Sequence, residues 1–196
     1  MSKFLGPIHY WLYGKIGHQE ALTCFLAEAA FKGGRLTDIG SYVRDLPLLE
    51  TVIDEENIHG WLQSRITDAE QRYAALVLTL TAQEPDYLDV LIREAYAFGA
   101  QHALPAGTAP AEAYKAFEDF FVNGMPCDQV NLVTESTDQA LSWTQTRDLH
   151  AEAWSAQGGD VSIYYQLRKS VMDGMLSESS LRLSIPDSSH YTIQLA

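Results

Sequence analysis

The period of the apolar positions divides the chain into two parts. Up to about residue 123 apolar residues recur at helical spacing, and from Asp128 onward short strand-like runs alternate with helices. Pro7 suits a first helical turn. From there Ile8, Leu12, Leu22, Leu26 and Ala30 fall on one side, at about 100° per residue, until Gly33 and Gly34 stop the helix. The pattern predicts a short helix around Thr37 to Arg44. Thr51 to Asp54 then reads as a capping box opening a long helix with Ile58, Leu62, Ile66, Ala69, Tyr73, Leu76 and Leu80 in register. Two more helices are predicted over Asp86 to His102 and Ala111 to Val122, ended by Pro105 and Gly124.

Beyond Asp128, Gln129 to Val133 and Ala140 to Gln145 are joined through Glu135-Ser-Thr-Asp138 and predict a hairpin. A helix-like stretch, Leu149 to Trp154, precedes a clear amphipathic helix over Val161 to Leu176. Ser180 to Ile185 and His190 to Leu195, separated by Pro186-Asp-Ser-Ser189, predict a second hairpin. The expected fold is α+β: a helical part (1–123) packed with a hairpin, helix and hairpin part (128–196) as one domain. An all-α bundle with a hairpin appendage is the alternative.

Composition narrows the function classes. In 196 residues there are 13 basic and 26 acidic side chains, a formal net charge of −13, and 46% of residues are apolar. A chain of this size can bury a core without disulfides or a structural metal. Its two cysteines, Cys24 and Cys127, lie far apart with no metal-ligand spacing around them, and are expected to be ordinary reduced thiols. The longest basic cluster is Arg168-Lys169, too small a footprint for nucleic acid or an anionic membrane. No apolar run approaches the roughly 20 residues that span a bilayer, and the opening residues lack a cleavable apolar segment, so a cytoplasmic location is expected.

Candidate chemistry comes from polar residues that fall on apolar helix faces, where burial demands a partner. In the long helix Glu55 points nearly into the apolar arc, His59 lies at its edge and shares its face, and Glu56 faces away. Glu56 and His59 nevertheless have the Glu-x-x-His spacing of di-iron bundles. The plainer reading is that Asp54, Glu55 and Glu56 complement the positive end of that helix. Glu94 lies on the strip of Tyr87, Leu91 and Phe98, while Arg168 sits among Tyr164, Tyr165, Val171 and Met172. A buried Arg demands an anion, either an internal carboxylate such as Glu94 or Glu55 or a carboxylate or phosphate on a ligand; the alternative is that its stem packs and its head reaches water. His9, Tyr13, Ile16 and Glu20 form a strip that could line a pocket or simply an aromatic core, and His150 stands near Glu152 and Trp154 where the first hairpin meets a helix.

No known catalytic signature is present. There is one Glu-x-x-His where a di-iron site needs two, no Gly-x-Ser-x-Gly and no phosphate-cradling glycine loop. Gly6-Pro-Ile-His9-Tyr-Trp-Leu12 and Asn57-Ile-His59-Gly-Trp-Leu62 resemble segments of uncharacterised proteins of anaerobic bacteria. The order of helices, hairpin, helix and hairpin is loosely similar to small ligand-binding α+β domains and to the amino-thiazoline-carboxylate hydrolase-like family. These resemblances imply no residue roles.

The expectation is a protein with an internal polar pocket for a small ligand or a divalent metal ion, serving as a sensor or accessory factor. His9, Tyr13, Trp61 and Arg168 would contact the ligand, and Glu55, Glu56, His59 and His150 are the candidate metal ligands. A metal-assisted or general-base hydrolase using His150 or His59 is the first alternative. The second is an interaction module that forms a homodimer through its aromatic opening helix.

Overall fold

The structure is a computed structural model, and it describes residues 5–125 and 128–196. The helical part comprises α1 (Pro7–Lys32), α2 (Leu49–Val52), α3 (Ile58–Gln83), α4 (Tyr87–Ala100) and α5 (Pro110–Phe120). The second part comprises β1 (Asn131–Ser136), β2 (Ala140–Gln145), α6 (Ala151–Ala156), α7 (Ser162–Met175), β3 (Leu181–Ser184) and β4 (His190–Leu195). The strands pair antiparallel in the order β1-β2-β4-β3, so the fold is α+β as expected. Among the described residues no helix is long and apolar enough to cross a membrane.

The sheet buries one face. On β2 the alternation places Leu141, Trp143 and Gln145 inward, and on β4 Tyr191 and Ile193 join them. Trp143 and Tyr191 are register partners whose rings stack 5.0 Å apart. The main core joins residues of both parts, from Leu26 and Leu76 in the helices to Trp143 and Ile193 in the sheet. A smaller cluster, with Leu12, Ile16, Leu62 and Ile66, fills the space between the first halves of α1 and α3.

Helix α1 is covered nearly all round. Its buried set includes polar residues on several faces, namely His9, Lys15, Gln19, Glu20 and Thr23, whereas Ile8, expected in the apolar arc, is exposed. Glu20 is met from α3 by Arg72, whose guanidinium grips both carboxylate oxygens and also donates to the Tyr42 carbonyl at 2.6 Å and to Asp68 at 3.1 Å. This buried fork ties α1 to α3.

Three local expectations change. Thr37 to Arg44 forms turns rather than a helix: Tyr42 and Val43 both donate to the Ile39 carbonyl, and Asp38 Oδ1 accepts from the Gly40 N–H, the Asx geometry that competes with helix formation. Thr51 belongs to the short α2 and does not cap the long helix. Asp54 Oδ1 accepts from the N–H groups of Glu56 and Asn57, and Asn57 Oδ1 accepts from Gly60 N, so α3 starts at Ile58 with the nearer Asn as its cap. β1 begins at Asn131 rather than Gln129 and runs through Ser136, with a bulge between Val133 and Glu135.

The closest helix crossing joins α4 to α7 through two glycines. A Cβ on Gly99 would stand 2.1 Å from the Val171 carbonyl oxygen, and one on Gly174 would stand 2.2 Å from that of Tyr96. Ser170 Oγ seals the contact by donating to the Ile92 carbonyl at 2.7 Å. Because the obstructing atoms are backbone, the helices must separate to admit even a methyl group. Gly99→Ala and Gly174→Ala should each cost about 2 kcal/mol in urea unfolding, and a loss below about 0.5 kcal/mol would show that the crossing is not tight.

Candidate functional site

The expected site residues divide among three places. His9 and His59 meet where α1 and α3 begin, with Nε2 to Nε2 at 3.3 Å. Tyr13 and Trp61 lie beside them, ring centroids 5.9 Å apart, and the Tyr13 hydroxyl donates to the Pro47 carbonyl at 2.7 Å. The backbone N–H of Gly6 donates to His9 Nδ1 at 2.9 Å, so neutral His9 carries its proton on Nε2 and presents that N–H to His59. Burial, and secondarily the neighbouring His59, lower the His9 pKa and keep the ring neutral. A metal ion on His9 Nε2 would have to displace that proton.

Glu55 and Glu56 precede α3 in an exposed turn, so the Glu-x-x-His spacing does not run along one helix. His150, 1% exposed, lies apart from this pair: its Nδ1 is 2.5 Å from Glu70 Oε1 and its ring stacks on Tyr164 at 3.9 Å. Its Nε2 is buried without a partner. Among the described residues no group of three or more His, Cys, Asp or Glu side chains is placed to hold a metal ion. Cys24 is half-buried, with Sγ 3.7 Å from Glu28; burial, then that carboxylate, push its thiol pKa up and away from nucleophilic use. Cys127 lies outside the described residues.

Arg168 is buried as its wheel position required, yet neither Glu94 nor Glu55 pairs with it. Its Nη1 donates to Gln145 Oε1 at a long 3.5 Å, its Cζ lies 5.3 Å from the Phe121 ring centroid, and its Nε has no partner. Gln145 is itself occupied, donating to the Tyr165 hydroxyl at 2.6 Å and accepting from Tyr191 at 3.4 Å. Among the described residues no ion pair involves Arg168.

A second buried cation lies within its electrostatic reach. Lys15 is 2% exposed and helps to wall a polar cleft of about 460 Å³ bounded by α1, α5, the segment after α5 and β1. Its ammonium sits 4.1 Å from the centre of the Trp11 ring, a cation–π contact, and among the described residues it makes no ion pair. Trp11, one helical turn before it, is fixed by an Nε1 donation to Asp119 Oδ1 at 2.9 Å, and Asp119 is held in turn by Lys115 at 2.5 Å. Burial lowers the Lys15 pKa to about 8; Glu118 opposes that shift and Arg168 adds to it.

Glu118, the one carboxylate in the cleft wall among the described residues, accepts from Asn131 Nδ2 at 2.7 Å. Asn123 and Asn131 also belong to the wall, but their Oδ1 atoms, buried acceptors without a donor, are closed off from the cleft space. Gln129, also in the wall, has φ +47°, the left-handed region that few side chains other than Asn or Asp occupy. A strained backbone position and a buried ammonium without an ion pair among the described residues therefore meet in one concavity.

Lys15 is not among the expected site residues, although its spacing carries a signal: Leu12, Lys15, Gln19, Leu22 and Leu26 repeat at alternating steps of three and four, the spacing of a buried seam. Asn123, Gln129 and Asn131 lie outside helices, where periodicity carries no information. Compared with models of known families, with curated proteins and with solved structures, the chain matches none, and the site is read from its own chemistry.

Because the folded-state pKa of Lys15 lies below the unfolded value, the unfolded chain binds more protons between about 8 and 10.5, and stability rises with pH through that window. Lys15→Met should therefore stabilise the protein at pH 7 by on the order of 2 kcal/mol, and the advantage over the parent should shrink as the pH is raised toward 9.5. Urea unfolding of both proteins across that range measures the difference. A pH-independent difference would show that the ammonium is not desolvated.

Proposed function

We propose that the chain binds a small organic acid in the cleft between α1, α5 and β1, and acts through that binding as a sensor or accessory factor. The observation that carries the reading is the Lys15 ammonium, buried in the cleft wall without a carboxylate partner among the described residues. A buried charge left unpaired is costly, and an anionic ligand supplies the missing partner. Arg168, whose charge reaches Lys15 although it is not in the cleft wall, reinforces the local positive potential.

The overall charge of −13 does not oppose this. At physiological ionic strength exposed charges are screened beyond about 8 Å, so the nearby desolvated ammonium governs an anion inside the cleft. On this reading the protein is cytoplasmic and uses its acidic surface to stay soluble and away from nucleic acid. His9, His59, Tyr13 and Trp61 support the fold around the start of α3 and do not line this cleft.

Melting in the presence of lactate, gluconate, citrate or inorganic phosphate tests the proposal. At least one organic acid should raise Tm in a concentration-dependent way, about 2.7 kcal/mol at a hundred times its Kd, and the increment should vanish in Lys15→Met. Equal shifts in parent and variant, or none with any acid, would contradict it.

A further inference from the structure

We propose that Lys15 is a covalent carbonyl-capturing residue, forming an imine with the oxo group of a small 2-oxo acid or aldehyde bound in the α1, α5 and β1 cleft. The inference rests on the acid-binding reading and adds a reaction to it. Four features support it: an amine in the cleft wall with no ion pair among the described residues, enclosure by the Trp11 ring, a single lining carboxylate at Glu118, and space for a ligand of a few carbon atoms.

The step balances without any further reactant. The lone pair of the neutral Lys15 amine attacks the carbonyl carbon, a C–N bond forms, and the C=O π pair moves to oxygen, which takes up a proton as nitrogen loses one. The resulting carbinolamine loses water as the nitrogen lone pair closes the C=N bond, so amine, carbonyl compound and one proton give a protonated imine and water. Glu118, whose Oε1 is held by Asn131, is the wall group available to pass that proton. The cation survives as an iminium, so the anchor for the ligand's acid group is kept.

Burial makes the amine available. With a pKa of about 8, roughly a tenth of Lys15 is neutral at pH 7, against about 0.04% of an ordinary lysine near 10.4. The exposed Lys32, Lys115 and Lys169 provide internal references in the same molecule.

The test incubates the full chain with glyoxylate and sodium cyanoborohydride at a series of pH values and maps modified lysines by peptide mass spectrometry. Lys15 should be alkylated at least tenfold faster than Lys115 at pH 7, and its rate should level off above about pH 8 while the others climb about tenfold per unit. Labelling of Lys15 no faster than Lys115, or a rate still climbing at pH 9.5, overturns the proposal. Lactate binding by Lys15→Arg, which keeps the charge and cannot form an imine, separates the two readings. If the parent is not trapped but both proteins bind lactate, imine formation fails and acid binding stands. If nothing is trapped and neither protein binds, both fail.

Discussion

Enclosure of α1 is the constraint on which the rest of the structure depends. A 26-residue helix packed against α3, α4 and α5 keeps only a narrow exposed stripe through Tyr10, Gly14, Ala21 and Glu28, and its sequence places His9, Lys15, Gln19, Glu20 and Thr23 inward. Each such group needs a partner. Glu20 has the Arg72 fork, His9 has the Gly6 N–H and His59, and Thr23 donates to the Gln19 carbonyl at 2.9 Å. Lys15 has only the face of Trp11 among the described residues. Among the described residues the fold partners the other buried ionisable groups on this helix internally and leaves the Lys15 ammonium without an ion pair.

The second part of the chain supplies the opposite wall and the second cation. The sheet's inner face ends at Gln145, which engages Tyr165, Tyr191 and, weakly, Arg168. Because Gln145 is neutral, Arg168 stays without a counter-ion, and its field falls on Lys15 and on Tyr114, whose hydroxyl is pushed up to about 12 mainly by burial. The tight α4 and α7 crossing at Gly99 and Gly174 fixes where α7, and so Arg168, stands relative to the helical part. Two buried cations thus stand near one another without an ion-pair partner among the described residues, and at Lys15 the opposing charges of Glu118 and Asp119 act against that of Arg168.

The fold class and the long elements were legible because their apolar periods are strong: α3 shows the expected register from Ile58 to Leu80, and both hairpins form close to their expected limits. Boundaries set by side-chain caps were not, since Asp54 and Asn57 could each open a helix and only the three-dimensional turn decides between them. Of the candidate site, the burial of Arg168 follows from its helix face, whereas the meeting of His9 with His59, fifty positions apart, is a tertiary fact. The partner of His150 is Glu70, eighty positions away, and the lack of a partner for Arg168 is equally a tertiary fact. Lys15 was readable from its seam spacing but disguised by its type, because lysine so often packs its stem and keeps its head in water.

Acid binding and imine formation both depend on the Lys15 ammonium being desolvated and unpaired, and the most direct measurement is its own titration, by NMR of the lysine side chains with Lys15→Arg to assign the resonance. A midpoint near 8, well below that of the other lysines, is expected. A midpoint near 10.4 would place the ammonium in water or against a carboxylate, and would remove the basis for both the ligand and the imine.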